Sequence, residues 1–340
     1  MAASTPPNVS NRCLYDVFVK DIFSTHSWPL RSRWIEEVDS FAAENASRLD
    51  ILRRLLAAAR TYPVLVLNGS LSGYADPVAA AVIARRRRPP HIVLTDCTWK
   101  AGAGRERLVR RRAVRAIDGA HLTYCVLSSF ERARFPDTWS VAHERVTFTP
   151  FYVGLHAAEI AQPPDADEGF VFAGGDSMRD YAPLLAAASR LGAPLRIASR
   201  TLNPAAVPEG VHAGEVSPSE YTALTRRAAT VVVPLENRVD RSAGQLTYLN
   251  AMALGKPVVV TDAPGVRDYI IPDRTGLIVP LGDSEALARA VAWTTAPATR
   301  AMALEMGRRA RQDVLKRFMP EAYVDRLLEV VERVRAGLSP

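Results

Sequence analysis

The chain has 340 residues, 48% of them hydrophobic and 23% charged, which is typical of soluble globular proteins and long enough for two domains. It contains no apolar run of the ~18 residues needed to span a bilayer. Its first residues lack a charged start followed by an apolar stretch, so no secretion signal is predicted. Three widely spaced cysteines argue against a disulfide framework or a zinc site and favour a reducing, cytoplasmic location.

Arginine supplies nearly all of the positive charge behind the net +7, and it is concentrated in two clusters. One is Arg85–Arg88, and the other lies within Arg105–Arg115 (RERLVRRRAVR). Such clusters bind phosphate groups, nucleic acid or an anionic membrane face, but they also occur on solvated helices. A solvated surface and a peripheral membrane contact both stay open. Nucleic acid is the least favoured partner, because no nucleic-acid motif or interleaved aromatic residues accompany the charge.

Residues 1–150 alternate between strand and helix patterns, which is typical of a mostly parallel α/β sheet. The strand-like runs are Arg12–Val19, Val64–Leu67, His91–Asp96, Tyr124–Ser128 and Arg145–Pro150. Helical patterns cover Trp34–Arg60, a small-residue segment around Ala75–Arg85, and the second arginine cluster as far as Ile117. This first domain is therefore predicted to hold four or five strands.

Residues 151–169 lose all periodicity in AQPPDADEG and are predicted to link two domains. Six apolar runs separated by helices then predict a doubly wound sheet within a second domain, 170–318. These runs are Phe170–Ala173, Leu195–Ala198, Val211–Ala213, Thr230–Leu235, Pro257–Thr261 and Gly276–Val279. Ser217 and Glu220 predict a capping box with Pro218 at the first helical position. The helical tail, 319–340, is expected to pack back towards the first domain.

Two glycine-containing turns follow strands of this second sheet. Gly174-Gly175 comes after its first strand, with Arg179 close enough in sequence to neutralise a phosphate. Such a glycine pair lets a ligand approach the backbone, although it is also common turn chemistry. Ligands of open α/β sheets bind at the carboxyl ends of strands, so this turn is a candidate for phosphate binding.

The second turn, Ser242 to Gln245, opens a helix. Free N–H groups and the helix dipole attract an anion at such a position. Ser242 and Gln245 also have capping-box spacing, so the N–H groups of Ala243, Gly244 and Gln245 either complete the helix or hold a diphosphate. Arg179 and Arg241 are the side chains predicted to stabilise the charge of a leaving group.

The first domain offers fewer candidates. Asp96 ends the strand HIVLTD and is predicted to be a general base for an acceptor hydroxyl, or else a cap for the next segment. His26, in STHSW, is a second catalytic candidate, although a lone histidine is more often structural. The segment from Asn68 to Ser70 ends another strand and is placed to shape an acceptor site.

Several motifs then resemble a known family. FAGGD…RD, HAGEVSPSEY and VVVPL…AGQLTYLNAMALGKPVVVTDAPGVRDYI…TGLIVPLGD are similar, in order and spacing, to the C-terminal half of family 4 retaining glycosyltransferases. LNAMALGKPVV and TGLIVPLGD are the most diagnostic pieces. The resemblance implies a GT-B fold, with two Rossmann-like α/β domains facing a cleft, here with a reduced N-terminal domain. It also implies a UDP-, GDP- or dTDP-sugar donor bound mainly by the C-terminal domain, with no metal or other cofactor.

The family marks its donor helix with two glutamates separated by seven residues, and the matching positions hold Ser242 and Asn250. The resemblance implies that Asn250 accepts hydrogen bonds from the ribose through its amide oxygen. Ser242 is shorter than glutamate and neutral. The identity of the transferred sugar, and whether the protein is catalytically active, therefore stay open. By position, Ser199 and Arg200 lie near the nucleobase. Glu215 and Val216 match the place where the family's backbone meets the base, or Glu215 is only a loop charge.

Gly175 stands where the family commonly has an arginine, and Arg179 lies near its lysine position. The leading hypothesis is a glycosyltransferase that moves a sugar from a nucleoside diphosphate to a small-molecule, lipid or glycan acceptor, with retention. The missing glutamates motivate the alternative of an inactive homologue that binds a sugar nucleotide or a partner. A nucleotide-sugar epimerase and a nucleic-acid binder are weaker alternatives.

Overall fold

Two six-stranded parallel sheets organise the residues described by the computed structural model, which are 22–24, 39–40, 48–69, 76–162, 166–236 and 241–337. The chain divides into two compact units. The first unit holds residues 1–127, 131–149 and 324–340, and the second unit holds residues 128–130 and 150–323. The prediction of two α/β domains with parallel sheets is confirmed.

The first sheet has the strand order β2-β1-β3-β4-β5-β6. Its strands are β1 Ile22–Ser24, β2 Asp39–Ser40, β3 Val64–Asn68, β4 His91–Thr95, β5 Leu122–Val126 and β6 Val146–Phe148. The helices are α1 Arg48–Thr61, α2 Asp76–Ile83, α3 Gly104–Ile117 and α4 Ser129–Trp139. The central strands β4 and β5 are almost entirely buried, as expected for a parallel sheet covered by helices.

The start of the first unit differs from the predicted pattern. Within the predicted helix Trp34–Arg60, Asp39 and Ser40 instead form β2, and the described helix α1 covers Arg48–Thr61. The described sheet has six strands where four or five were predicted, because β1 and β2 are only three and two residues long and too short to show a period. The predicted strand Arg12–Val19 lies outside the described residues.

The second sheet has the order β12-β11-β10-β7-β8-β9. Its strands are β7 Val171–Gly174, β8 Leu195–Ala198, β9 Val211–Gly214, β10 Thr230–Val233, β11 Val258–Thr261 and β12 Leu277–Val279. The helices are α5 Ala157–Ala161, α6 Ala182–Ala187, α7 Pro218–Arg227, α8 Gln245–Ala253, α9 Ser284–Thr295, α10 Arg300–Arg317 and α11 Pro320–Arg335. All six predicted strands are present, and the strand order is doubly wound.

Local signals in the second unit agree with the structure at several helix ends. The Ser217 hydroxyl accepts a hydrogen bond from the N–H of Glu220, and Pro218 is the first residue of α7. In the predicted linker, α5 and the buried side chains of Val153 and Ile160 belong to the core of the second unit. Helix α11 begins in the second unit, and its residues from Val324 onward belong to the first.

Candidate active site

The carboxyl ends of three neighbouring strands of the second sheet are aligned. The register pairs Gly174 of β7 with Ala198 of β8, and Ala198 with Gly214 of β9. The ladder continues one residue further, since the N–H of Gly175 donates to the Ala198 carbonyl at 3.0 Å and that of Ser199 donates to the Gly214 carbonyl at 2.9 Å. The turns that follow these strands therefore lie at one edge of the sheet, where open α/β folds bind ligands.

The two glycines at the end of β7, Gly174 within the strand and Gly175 directly after it, are required by their surroundings. A Cβ atom on Gly174 would lie 2.4 Å from the ring of Tyr221. Gly175 has a φ of +101°, which side chains other than glycine rarely adopt, and a Cβ there would lie 3.0 Å from the guanidinium of Arg179. The backbone and the Arg179 side chain therefore approach each other closely at this turn.

Arg179 forms hydrogen bonds only with neutral acceptors among the residues that the structure describes. Its guanidinium donates to the carbonyl of Gly174 at 3.1 Å, the carbonyl of Ser177 at 2.8 Å and the hydroxyl of Thr247 at 2.8 Å. Burial lowers the pKa of Arg179, although nearby tyrosines oppose that shift. The Asp176 carboxylate opposes the shift as well, but it forms no hydrogen bond with Arg179. A partly buried cation without a hydrogen-bonded carboxylate is costly, so an anionic ligand at this position would be stabilising.

The hydrogen bond to Thr247 also joins the two glycine turns. Arg179 follows β7, whereas Thr247 lies in the first turn of α8, which follows β10. Strands β7 and β10 are paired neighbours in the sheet. The structure therefore brings the two predicted phosphate turns together.

The start of α8 differs from the predicted capping box. The helix begins at Gln245, and its N-cap is Gly244, whose φ of +83° is left-handed. The Gln245 amide donates to the Ser242 hydroxyl at 2.6 Å, so the two side chains contact each other. Among the residues with described positions, no side chain caps the helix. The predicted cap is wrong because Ser and Gln at this spacing can also form a hydrogen bond with each other. The left-handed conformation of Gly244 determines where the helix begins.

The uncapped start of α8 exposes backbone donors. The first N–H with an acceptor inside the helix is that of Tyr248, which donates to the carbonyl of Gly244 at 3.1 Å. The N–H groups of residues 245–247 come before it and have no acceptor within the helix. Of the three predicted donors, Gln245 is thus at the helix start, Gly244 is the N-cap and Ala243 precedes both.

Arg241 approaches the same turn as Arg179. Its guanidinium donates to the Met178 sulfur at 3.0 Å and to the Ser177 hydroxyl at 3.2 Å. Arg179 donates to the Ser177 carbonyl from within that turn. Two cationic groups therefore meet at the segment between β7 and α6, beside the start of α8.

Asp176 organises the junction after β8, and sequence reasoning missed it. Its carboxylate accepts from the Ser199 hydroxyl at 2.7 Å, and from the N–H and guanidinium of Arg200 at 2.9 Å each. Burial alone would raise the pKa of Asp176, but the hydrogen bonds from Arg200 and Ser199 outweigh it and lower the pKa to about 2. The guanidinium of Arg200 is therefore already paired. The exposed Glu215 adds a weaker attraction to Arg200, and Val216 packs against the core.

The residues at the two glutamate positions make contacts within the protein. The Asn250 amide oxygen accepts from the N–H of Gly154 at 2.9 Å. Ser242 is buried, and its Cβ is 2.8 Å from where a Cβ on Gly265 would lie, with the Cβ of Ser128 at 2.6 Å from that point. One lone pair of Asn250 is thus used internally, and a carbonyl oxygen has a second.

The first-unit candidates end strands β3 and β4. Asp96 follows β4 with a φ of +52°, a backbone conformation that is strained for residues other than glycine and is enriched at functional sites. The N–H of Gly69 donates to the Thr95 carbonyl at 2.6 Å, and the Trp99 indole donates to the Gly69 carbonyl. These bonds fix the turn around Asp96.

The remaining predictions concern other residues of the first unit, a metal site and a membrane-spanning helix. Asn68 is the last residue of β3, whereas His26 and Ser70 lie outside the described residues. Among the residues with described positions, no three His, Cys, Asp or Glu side chains are grouped so that they could hold a metal ion. Within the same part of the chain, no helix combines the length and apolarity needed to cross a membrane.

Comparison with known proteins agrees with this geometry. Residues 170–296 match the family described as Glycosyl transferases group 1. The predicted resemblance to glycosyltransferases is confirmed. The matched segment, which we call the group 1 domain, contains every predicted donor-site residue from Gly174 to Asn250, whereas Asp96 and His26 lie outside it.

Solved structures share the fold of the whole chain. A glycosyltransferase from Rickettsia africae ESF-5 aligns at 12% identity and a TM-score of 0.63, over 97% of each chain. HepE from Anabaena, solved with UDP-glucose, aligns at 14% identity and a TM-score of 0.62, over 97% of this chain and 98% of HepE. A sucrose-phosphate synthase from Thermosynechococcus elongatus aligns at 19% identity and a TM-score of 0.61, over 88% and 82%. A search of curated proteins gives no match. The predicted GT-B fold class is thus supported beyond the group 1 domain.

Proposed function

We propose that this chain is a glycosyltransferase that moves a sugar from a UDP-, GDP- or dTDP-sugar to a small-molecule, lipid or glycan acceptor, with retention. The proposal places the reaction in the cytoplasm and uses no cofactor beyond the donor. The group 1 match and the fold shared with glycosyltransferases support the reaction class. The Anabaena HepE complexes with UDP and UDP-glucose support a nucleotide sugar as the donor.

The observation that carries the proposal is the position and hydrogen bonding of Arg179. Its guanidinium has only neutral partners among the described residues and spans the gap between the β7 turn and the start of α8. A diphosphate beside it would also meet the N–H groups that begin α8 and the positive end of the helix dipole. All of these groups stabilise negative charge. Transfer of the sugar releases a nucleoside diphosphate anion, so the same groups would stabilise the charge that develops on the leaving group.

Arg241 would share this charge with Arg179. Both guanidinium groups contact the turn at Ser177, so both can act on the phosphate that carries the leaving charge. Preorganised donors lower the barrier because they need no rearrangement when the charge develops. In this proposal the two arginines and the α8 N–H groups do the work for which other transferases use a metal ion.

The nucleobase would lie beyond the ends of β8 and β9. Asp176 holds Ser199 and Arg200 in place, and Glu215 and Val216 follow the neighbouring strand. Because Arg200 is paired with Asp176, it offers the base a flat guanidinium face more than a free charge. Asn250 would reach the ribose with its remaining lone pair.

Asp96 would act on the acceptor. It lies directly after β4, at a strand end where α/β folds bind ligands, and a carboxylate can remove a proton from an acceptor hydroxyl. His26 remains a second proposal for this role.

Calorimetric titration with UDP, GDP, dTDP and ADP tests the donor site. We expect one base to be preferred, and its diphosphate to bind at least about tenfold more tightly than its nucleoside, because charge-assisted hydrogen bonds contribute ~1.5–3 kcal/mol. The Arg289→Gln variant, changed at an exposed arginine of α9, should bind like the wild type. If no diphosphate binds, the proposal fails.

A second function fits the contacts of Ser242 and Asn250. Both residues stand at the positions of the family glutamates, and both form hydrogen bonds with other residues of the protein. Such replacements are compatible with an inactive homologue that only binds a sugar nucleotide. Donor hydrolysis and transfer to an acceptor panel separate the two functions. Tight donor binding without release of sugar favours the binding protein, and turnover favours the enzyme.

A further inference from the structure

Helix α3 presents an unusually exposed surface. Of its 14 residues, only Val114 and Ile117 are buried. Leu108 and Val109 are 51% and 64% exposed, although both are large aliphatic residues. An amphipathic helix that only covers a core would place such residues inward, so these two need another explanation.

The exposed residues share one side of α3. Arg105, Leu108, Val109, Arg112 and Ala116 occupy positions i, i+3, i+4, i+7 and i+11, which places them on one face of a helix. Val114 is buried on the opposite side. We call these five residues the α3 outer face. It presents two adjacent aliphatic side chains between two arginines.

The charge of this face is not neutralised within the described part of the chain. The neighbouring Arg110 pairs with Glu106, and Arg111 donates to the Ser140 hydroxyl. Arg105 and Arg112, in contrast, have no carboxylate partner among the described residues. The face is therefore cationic as well as apolar.

A second cationic segment follows the neighbouring helix α2, which packs against α3. In this segment Arg85 and Arg86 donate to the carbonyls of Ala81 and Ala59. Arg87 is exposed and forms no ion pair with a described residue. A second basic segment therefore follows a helix that packs against α3 in the same unit.

We infer that the α3 outer face binds the surface of an anionic lipid bilayer. Arginines meet lipid phosphates while Leu108 and Val109 enter the boundary between headgroups and acyl chains, as in helices that lie in a membrane interface. A nucleic acid would use the charge but gain nothing from two aliphatic side chains, and the face has no aromatic residue for base stacking. The inference does not depend on the donor site, which lies in the second unit.

Sedimentation of the full chain with vesicles of phosphatidylcholine, with or without phosphatidylglycerol, tests the inference. We expect binding only to the anionic vesicles, and weaker binding at about 1 M salt, where the Debye length is about 3 Å. The double variant Arg105→Gln/Arg112→Gln should bind roughly twentyfold more weakly, at roughly fivefold for each arginine. Leu108→Ser/Val109→Ser should also weaken binding, without a change in charge.

The matched control is Arg274→Gln/Arg289→Gln, which removes the same charge from exposed positions of the second unit. It should bind vesicles within about twofold of the wild type, because neither arginine belongs to the α3 outer face and the net charge changes by the same amount. The melting temperature of every variant should match the wild type, since all changed side chains are exposed. No binding of the wild type to anionic vesicles, or an equal loss in the control, overturns the inference. So does duplex DNA binding that depends on the arginines while vesicle binding is absent.

Discussion

The guanidinium of Arg179 donates a hydrogen bond to the hydroxyl of Thr247 across 2.8 Å. This single contact joins the turn after β7 to the first turn of α8, two segments separated by more than 60 residues of sequence. It places a cation beside the N–H groups that begin α8, so both kinds of phosphate donor can act on one ligand.

Replacing Arg179 by Met should weaken binding of the preferred nucleoside diphosphate at least about tenfold, because the variant loses a charge-assisted hydrogen bond of ~1.5–3 kcal/mol. Calorimetry with the diphosphate and with the nucleoside measures the change. Affinity for the nucleoside should stay within about twofold. Thr247→Val is the matched control, since it removes one of the three neutral acceptors of Arg179 and keeps the charge, so it should cost less affinity. Equal losses for nucleoside and diphosphate would mean that Arg179 is structural.

Gly175→Ala should destabilise the protein and disturb the diphosphate site together. Its φ of +101° is unfavourable for alanine, and the added Cβ would lie 3.0 Å from the Arg179 guanidinium. The control is Gly282→Ala, where φ is +75° and no atom lies within 4 Å of the added Cβ. Urea denaturation should show a loss of ~1 kcal/mol for the control and a larger loss for Gly175→Ala. Only the latter should weaken diphosphate binding.

Several features of the second unit could be predicted because their signal is local. Strands β7, β8, β10 and β11 are short, almost entirely buried apolar runs, and the Ser217 cap follows from its own spacing. The start of α8 could not be predicted, because the left-handed conformation of Gly244 decides it. The role of Asp176 was missed for a related reason. Its partners Ser199 and Arg200 come from a neighbouring strand end, and only the sheet brings them together.

Asp176 should make stability depend on acid pH. Its pKa is about 2 in the folded protein against 3.8 for an unperturbed carboxyl, so its stabilisation is present above pH ~4 and is lost as the pH falls towards ~2. Urea denaturation across this range should show the free energy of unfolding of the wild type approaching that of Asp176→Asn. Above pH ~5 the wild type should be the more stable of the two. A constant difference at all pH values would contradict this account.

Asp96→Asn should lower kcat about a hundredfold, as expected when a general base is removed, while the donor dissociation constant stays unchanged. Asn keeps the shape of the side chain and tolerates the left-handed φ of +52° at this position. Initial rates and calorimetry on the same preparation give both quantities. A variant with full kcat would show that Asp96 only maintains the β4 turn.

The predictions for the first unit illustrate a different limit. The buried strands β3 to β5 were visible as apolar runs, but β1 and β2 gain their structure from pairing with β3 and with each other. A strand of two or three residues has no period of its own. Asp96 was predicted from its place at a strand end, whereas its left-handed backbone follows from the turn that Gly69 and Trp99 hold in place.

Arg179 has no hydrogen-bonded carboxylate among the described residues, which has a consequence for turnover. A pocket that is costly while empty favours any anion that fills it, and the spent nucleoside diphosphate carries more charge at its terminal phosphate than the intact donor does. We therefore expect the nucleoside diphosphate product to compete with the sugar donor for the site and to dissociate slowly. Product release would then be the rate-limiting step of turnover.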